Sequence, residues 1–225
     1  MSVATENFLK TIYRLSQTPG ADTRPGRLAG ELNISNAAAT DMARNLARRG
    51  LIHYEKYQEL KLTENGRTKA LVLIRKHRLW EALLFKLFDI NLGEIHREAE
   101  LLEHQTSDFL AGRISDYLGN PTSDPHGDPI PDQEGIIPSQ LSYIPVLKTQ
   151  EGNRYIVKRL FSSEDDFFDF CETNGLRIDA EILVEKQYPS QGMTTLRIGD
   201  SKILVNREFA SKIFVSNLES NDVEP

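Results

Sequence analysis

The chain has 225 residues, of which 39% are hydrophobic and 27% are charged, and its formal net charge is −6. This composition is that of an ordinary soluble protein, and no apolar run is long enough to span a bilayer. The N-terminus lacks the basic-then-apolar layout of a secretion signal, and the single cysteine, Cys171, excludes an internal disulfide framework. We therefore expect a cytoplasmic protein with no membrane partner.

The charge is unevenly distributed along the chain. Residues 1–70 contain 11 Lys and Arg against 7 Asp and Glu, whereas residues 71–150 contain 7 against 12 and residues 151–225 contain 9 against 14. Apart from a chance fluctuation, this distribution indicates separate modules, of which only the first suits a polyanion. We expect three domains, over residues 1–70, 71–140 and 141–225.

The first domain has the pattern of a winged helix-turn-helix. The predicted elements are helices over 8–15, 27–32 and 36–49 and strands over 51–54 and 60–63. Pro19-Gly20 ends the first helix, Ser35 is a suitable N-cap for the third helix, and Gly50 ends it. A β-hairpin that follows a helix-turn-helix is a wing.

The second domain is predicted to be helical and the third to be rich in strands. Thr63 caps a long helix over 64–88, a second helix covers 92–118, and residues 119–140 form a loop rich in Pro, Gly, Asp and Ser. The third domain carries strands over 155–157, 180–184, 194–198 and 202–205 and a helix over 163–173. The predicted fold class is therefore multi-domain, mainly α with β, and its last module is a small SH3-like barrel.

The third helix has the character of a DNA-reading helix. Its first half exposes small and polar side chains that permit a close approach to base edges, and basic side chains around it suit phosphate. The residues predicted to contact DNA are Arg27, Ser35, Ala37, Ala38, Thr40, Asp41, Arg44, Arg48, Lys56 and Tyr57. The alternatives are a helical bundle with a solvated basic face and a winged helix that binds protein.

Histidine and glutamate repeat at helical spacing in the second domain. His77 and Glu81 are four residues apart, and His96, Glu100, Glu103 and His104 fall on one helical stripe. Carboxylate and imidazole without thiolate suit Mn(II) or Fe(II) better than a closed structural zinc site. His53 and His126 do not belong to such a pattern of His and Glu at helical spacing, and we interpret them as structural.

These residues resemble the diphtheria toxin repressor and manganese transport regulator family. The matching stretches are Thr5–Tyr13, Tyr54–Tyr57 with Leu62–Gly66, Lys76–Glu81, Glu100–His104 and His126–Pro131. The resemblance extends into the third module, which it identifies as an SH3-like, FeoA-like domain. It implies a homodimer that binds a palindromic operator in double-stranded DNA and represses metal-uptake genes.

The resemblance also implies two metal sites. The primary site matches Asn7, Glu100, Glu103 and His104, and the ancillary site matches His77, Glu81, His96 and Glu164. A further ligand of the iron-type members falls near Phe167, which cannot coordinate a metal. Iron-type members have Met and Cys where Asn7 and Glu100 stand, and manganese-type members have Asp and Glu, so Mn(II) is favoured and Fe(II) is the alternative.

The sequence thus predicts a metal-dependent transcriptional repressor that is not an enzyme. Two other functions remain open from the residues alone. A dinuclear carboxylate and histidine site would support hydrolysis or oxygen chemistry. A metal-independent winged-helix regulator would use its last domain to bind a protein.

Overall fold

The structure is a computed structural model that describes residues 1–17, 20–88, 90–137, 143–162 and 164–218. The chain divides into two compact units, one formed by residues 1–80, 99–122 and 130–138 and the other by residues 81–98, 123–129 and 139–225. Within the described residues, no helix is both long enough and apolar enough to cross a membrane.

The N-terminal elements form the predicted winged helix-turn-helix. They are α1 (Val3–Ser16), α2 (Pro25–Glu31), α3 (Asn36–Arg48), β1 (Ile52–His53) and β2 (Lys61–Leu62). The Ser35 side chain accepts a hydrogen bond from the backbone N–H of Ala38, which confirms the predicted cap of α3. Helix α1 ends at Ser16, and Pro19, predicted to stop it, lies outside the described residues.

One apolar core holds these elements together. Phe8, Leu9 and Ile12 of α1 pack with Ala39, Ala43 and Leu46 of α3, and all six side chains are almost completely buried. Burial of this kind contributes roughly 25 cal/mol per Å² of apolar surface. Helix α1 and helix α3, which the sequence predicts to read DNA, therefore share a core.

The wing is fixed where it meets the next helix, α4 (Glu64–Leu87). Strands β1 and β2 pair antiparallel, with Ile52 opposite Leu62. The Thr63 hydroxyl accepts a hydrogen bond from the N–H of Gly66 at 3.1 Å, which confirms Thr63 as the cap of α4. A Cβ on Gly66 would overlap the carbonyl oxygen of Leu51, so only glycine permits this close packing.

The single helix predicted over 92–118 is wrong. The structure has α5 (Leu92–Leu102), a 3₁₀ turn (Glu103–Gln105) and α6 (Asp108–Leu118). Thr106 adopts an extended backbone that breaks the helix, and the Ser107 hydroxyl caps α6 by accepting the N–H of Leu110. We call residues Glu103–Gln105 the ligand turn.

The C-terminal part of the second unit is a sheet of six antiparallel strands with two short helices. Its elements are β3 (Ile144–Pro145), a 3₁₀ turn (Val146–Lys148), β4 (Arg154–Leu160), α7 (Asp165–Thr173), β5 (Glu181–Tyr188), β6 (Met193–Ile198), β7 (Ser201–Asn206), α8 (Arg207–Lys212) and β8 (Ile213–Asn217). The strand order is β3-β8-β4-β5-β6-β7. The four predicted strands and the predicted helix are confirmed, whereas β3, α8 and β8 were not predicted.

Candidate metal centre and DNA-binding surface

Three buried ligand atoms in the first unit lack a hydrogen-bond partner within the described residues. They are Oδ1 of Asn7 on α1 and, on the ligand turn, Oε1 of Glu103 and Nε2 of His104. The two atoms of the ligand turn lie 3.3 Å apart. A buried acceptor without a partner costs about 1–3 kcal/mol, so these three atoms indicate that something else satisfies them.

Glu100 of α5 belongs to the same group. Ligand atoms of Glu100, Glu103 and His104 all lie within 4.8 Å of one another. Carboxylate oxygens and an imidazole nitrogen at this spacing form a donor set for a divalent cation. These three residues and Asn7 make up what we call the first centre, and the residues present fit a metal ion.

Glu6 orients the histidine of the first centre, a role that the sequence analysis missed. The Nδ1 atom of His104 lies 2.6 Å from Oε2 of Glu6. If Nδ1–H donates to this carboxylate, the lone pair of Nε2 faces the centre, which is the arrangement of most metal-binding histidines. The available signal was only that Glu6 precedes Asn7 on α1.

Lys10 places a positive charge among the acidic groups of the first centre, and it was also missed. Its ammonium donates to Oε1 of Glu100 at 2.6 Å and to Oε2 of Glu103 at 2.7 Å. His77 of α4 lies on the same side, with Nδ1 at 2.7 Å from Oε2 of Glu103. These contacts use one oxygen of Glu103 and leave its Oε1 for another partner.

The second unit holds a different group of titratable residues, which we call the second cluster: Glu81, His96 and His126. Oε1 of Glu81 lies 2.9 Å from Nδ1 of His96 and 3.4 Å from Nε2 of His126. Burial lowers the pKa of His126, but Glu81, Asp124 and Asp128 outweigh this effect and raise it above the ordinary value. The sequence analysis interpreted His126 as structural. In the structure it lies beside Glu81, an acidic residue that the sequence predicts to bind a metal ion.

The loop that carries His126 is fixed to the β-rich part of the second unit. The carbonyl of His126 accepts the N–H of Leu160 in β4 at 2.8 Å, and its ring lies 4.6 Å from that of Phe168 in α7. Gly127 has a φ of +84°, and a Cβ there would overlap the carbonyl of Lys158. The Asp128 carboxylate pairs with Arg159. The position of His126 thus depends on β4 and α7.

The remaining predicted ancillary ligands are placed as follows. Glu81 and His96 lie together in the second cluster, and His77 belongs to the first unit, where it contacts Glu103. Glu164 accepts a hydrogen bond from the ammonium of Lys212 at 2.5 Å. Phe167 is fully buried in the core of the β-rich part. A metal-binding role of Glu164 stays a prediction.

The predicted DNA-contacting residues lie on the surface of the first unit. On α3, Thr40 is half-buried, and its hydroxyl donates to the carbonyl of Asn36. The others on or beside α3 are exposed: Ser35, Ala37, Ala38, Asp41, Arg44 and Arg48. Helix α3 thus presents small side chains and arginines to solvent while Leu46 and its neighbours face the core.

Two further predicted contacts flank α3. Arg27 on α2 is exposed and pairs with Glu31 at 2.6 Å. At the wing, the ammonium of Lys56 lies 4.8 Å above the ring of Tyr57, which is 80% exposed.

Comparison with known families matches all three parts of the chain. Residues 1–60 match the family described as "Iron dependent repressor, N-terminal DNA binding domain". Residues 63–132 match "Iron dependent repressor, metal binding and dimerisation domain", and residues 144–217 match "FeoA domain".

Individual relatives agree with these matches. The chain is 35% identical over 104 residues to the diphtheria toxin repressor of Corynebacterium glutamicum, which is 46% of this chain and 45% of that protein. The chain thus matches less than half of that relative's length. It is 33% identical over 108 residues to an uncharacterized HTH-type transcriptional regulator of Methanocaldococcus jannaschii, covering 48% of this chain and 86% of that protein.

A solved structure shares the fold of nearly the whole chain. It is a manganese-dependent transcriptional repressor in complex with manganese, with a TM-score of 0.88 and 29% identity. The match covers 95% of this chain and 100% of that one. The resemblance found in the sequence and the predicted fold class, with its FeoA-like last domain, are confirmed. The chain belongs to the iron-dependent repressor family, the family of the diphtheria toxin repressor.

Proposed function

We propose that this protein is a metal-dependent transcriptional repressor that binds operator DNA when a divalent cation fills the first centre. The observation that carries the proposal is the set of three buried ligand atoms of Asn7, Glu103 and His104 without hydrogen-bond partners within the described residues. A bound cation would satisfy all three at once. The proposal assigns no enzymatic activity to the chain.

The contacts of α1 supply a mechanism. Asn7 lies on α1 between Glu6, which contacts His104, and Lys10, which contacts Glu103. Asn7 on α1 and Glu103 and His104 on the ligand turn would hold the cation, which would neutralise the carboxylates. Because α1 and α3 share one core, holding α1 also holds α3. Metal binding would then shift the population toward the orientation that fits DNA.

The donor set favours Mn(II), with Fe(II) as the alternative. The first centre offers two carboxylates, an imidazole and an amide oxygen, which are hard or intermediate ligands. The only cysteine, Cys171, is buried in the core of the β-rich part. Asn7 departs from the Asp and the Met of the two subfamilies, and its amide oxygen can coordinate without adding negative charge.

The second cluster is proposed as a second cation site, with Glu81, His96 and His126 as ligands. Both ring nitrogens of His126 are buried without a hydrogen-bond partner within the described residues, and Glu81 is 2% exposed. A buried carboxylate between two imidazoles suits a divalent ion. A metal-binding role of His77 and a metal-binding role of Glu164 are each proposed as well.

Exposed apolar residues support a homodimer. Within the first unit, Leu101 is 70% exposed, Phe109 is 78% exposed and Tyr117 is 58% exposed. We propose that these exposed apolar side chains of α5 and α6 contribute to the dimer interface. A dimer would place two α3 helices on a palindromic operator, in successive major grooves.

On DNA, we assign Ser35, Ala37, Ala38, Thr40 and Asp41 to the base-facing edge of α3. The charged and wing residues Arg27, Arg44, Arg48, Lys56 and Tyr57 are assigned to the phosphate backbone. Phosphate contacts supply affinity and register, whereas contacts with base edges supply the sequence preference.

Operator binding measured against Mn(II) concentration tests the proposal. Glu103→Ala and His104→Ala should abolish the metal-dependent gain in DNA affinity while the circular dichroism spectrum stays that of the wild type. Glu172→Ala, which removes an exposed carboxylate of α7, is the matched control and should respond as the wild type does. A wild-type response in both ligand variants would refute the assignment.

The same titration separates the two other functions. A metal-independent regulator would bind DNA equally well with a chelator and with Mn(II). A dinuclear metalloenzyme would bind Mn(II) but show no metal-dependent gain in operator affinity.

A further inference from the structure

The ligand turn ends at a threonine hydroxyl that makes two hydrogen bonds. Thr106 is 5% exposed. Its Oγ1 donates to the carbonyl of Leu102 at 2.7 Å and accepts the indole N–H of Trp80, also at 2.7 Å. Trp80 is the only tryptophan of the chain and lies on α4.

The bond from Thr106 to Leu102 spans the ligand turn from one end to the other, and the bond from Trp80 joins the end of the turn to α4. Leu102 is the last residue of α5 before Glu103, and Thr106 is the first residue after the turn. The backbone bond that closes the turn, from the N–H of Thr106 to the carbonyl of Glu103, is long at 3.4 Å. Because the backbone hydrogen bonds of short 3₁₀ turns have poor geometry, the side-chain hydrogen bonds contribute much of the stability of the closed turn.

Trp80 connects the turn to a helix that also contacts the first centre. His77, three residues earlier on α4, lies 2.7 Å from Oε2 of Glu103. Residues three apart share a helix face, so α4 meets both the ligand carboxylate and the far end of its turn. Trp80 and Thr106 contribute no ligand atom themselves.

We propose that Trp80 and Thr106 are positioning residues that set the metal affinity of the first centre. The indole N–H of Trp80 donates a hydrogen bond to the Thr106 hydroxyl, and this hydroxyl donates one to the carbonyl of Leu102. Together these bonds fix the ligand turn in the conformation in which the side chains of Glu103 and His104 lie close together. This inference rests on the proposed metal-binding function. Outer partners of this kind typically change metal affinity by about 10- to 100-fold when they are removed.

The test compares three variants of the full-length protein by calorimetric titration with Mn(II). Thr106→Val keeps the shape but removes the hydroxyl, and Trp80→Phe keeps a ring but removes the N–H. Each should weaken Mn(II) binding at the first centre by about tenfold. Thr106→Ser retains a hydroxyl and should restore an affinity close to that of the wild type.

A second readout detects the geometry of the ligands directly. The absorption spectrum of bound Co(II) reports coordination, and it should change in Thr106→Val and Trp80→Phe but not in Thr106→Ser. The matched control is Thr68→Val, because the Thr68 hydroxyl also donates to a carbonyl four residues earlier, in an exposed part of α4. This control should leave both readouts unchanged.

The outcomes separate this inference from the proposed function. Wild-type affinity and an unchanged Co(II) spectrum in Thr106→Val and Trp80→Phe would overturn the positioning role, provided that His104→Ala still loses binding. If the wild type and His104→Ala bind Mn(II) alike, the proposed first centre itself is wrong. If Thr106→Val is folded but binds Mn(II) weakly, and Thr106→Ser binds Mn(II) equally weakly, the proposed role of the hydroxyl is contradicted.

Discussion

Replacing Lys10 with methionine removes the ammonium that lies between two acidic ligands while keeping most of the side-chain volume. The Nζ atom of Lys10 is 2.6 Å from Glu100 and 2.7 Å from Glu103, and Glu103 is fully buried. Removal of one partner from a buried ion pair costs about 3–5 kcal/mol, because the remaining charge stays desolvated. Glu100 is 38% exposed and regains water, so the lower end of this range applies.

We therefore expect metal-free Lys10→Met to be less stable than the wild type by about 3 kcal/mol, or about 6–12 °C in melting temperature for a chain of this length. Mn(II) should reverse much of this loss, since a divalent cation also neutralises the carboxylates. At a hundredfold excess over its dissociation constant, a ligand adds about 2.7 kcal/mol. The shift in melting temperature caused by Mn(II) should thus be larger in the variant than in the wild type.

Thermal unfolding followed by circular dichroism, in a chelator and in Mn(II), measures both quantities. The matched control is Lys158→Met, which breaks a surface pair with Asp179, a residue whose side chain is 70% exposed. Surface pairs contribute less than about 1 kcal/mol. If metal-free Lys10→Met is no less stable than Lys158→Met, Lys10 does not balance a buried charge and the account of the first centre fails.

Further predictions concern Glu6, Gly66 with its control Gly30, Cys171 and Arg48. Glu6→Ala should weaken Mn(II) binding by about tenfold in calorimetry, because the ligand histidine loses its orienting partner, and an unchanged affinity would contradict this role. Gly66→Ala should destabilise the fold by about 1–3 kcal/mol in denaturant unfolding, since the new Cβ overlaps main chain. Gly30→Ala, with open space around an exposed helical glycine, should stabilise it by about 0.5–1 kcal/mol, and equal effects would refute the packing argument. Burial raises the pKa of Cys171 to about 12, so a thiol reagent at pH 8 should react only after unfolding, and rapid reaction in the native state would show that the residue is accessible. Arg48→Ala should weaken DNA binding similarly for all sequences and reduce the salt-dependence slope by about one, whereas a change confined to sequence preference would contradict its phosphate assignment.

The elements that local signals define were predicted well. Ser35 and Thr63 cap α3 and α4 as expected, because an N-cap depends only on a side chain and the backbone three residues later. The hairpin turn at Gly199 also matches, since β6 and β7 are consecutive and Gly199 has a φ of +55°. Strand β3 was missed because its pairing with β8 joins residues about seventy positions apart, which no local pattern reveals.

The break between α5 and α6 had a local signal that apolar and acidic periodicity concealed. Thr106-Ser107-Asp108 is a typical helix start, but the stripe of His96, Glu100 and His104 suggested one continuous helix. The structure instead places His96 in the second cluster, while Glu103 and His104 converge on the ligand turn. Regular spacing predicted a group of Glu100, Glu103 and His104, whose ligand atoms do lie within 4.8 Å of one another, and their metal-binding role stays a prediction.

Contacts between distant parts of the chain explain what the site analysis missed. Glu6 and Lys10 meet their partners across 90 to 98 residues of sequence. His126 lies in a loop, outside the helices that carry the repeated His and Glu residues, and only the tertiary fold brings it to Glu81. Spacing along one helix predicts neighbours on that helix, whereas partners from other elements require the fold itself.

The attachment of the His126 loop makes the proposed second cation site depend on the integrity of the β-rich module. A fragment that ends near residue 138 would retain the whole first centre and the winged helix. In that fragment His126 would lose the N–H of Leu160 and the ring of Phe168 that fix it. With both proposed cation sites occupied in the intact protein, proteolytic removal of the C-terminal module should lower the number of bound metal ions from two to one, so metal stoichiometry would report on proteolysis.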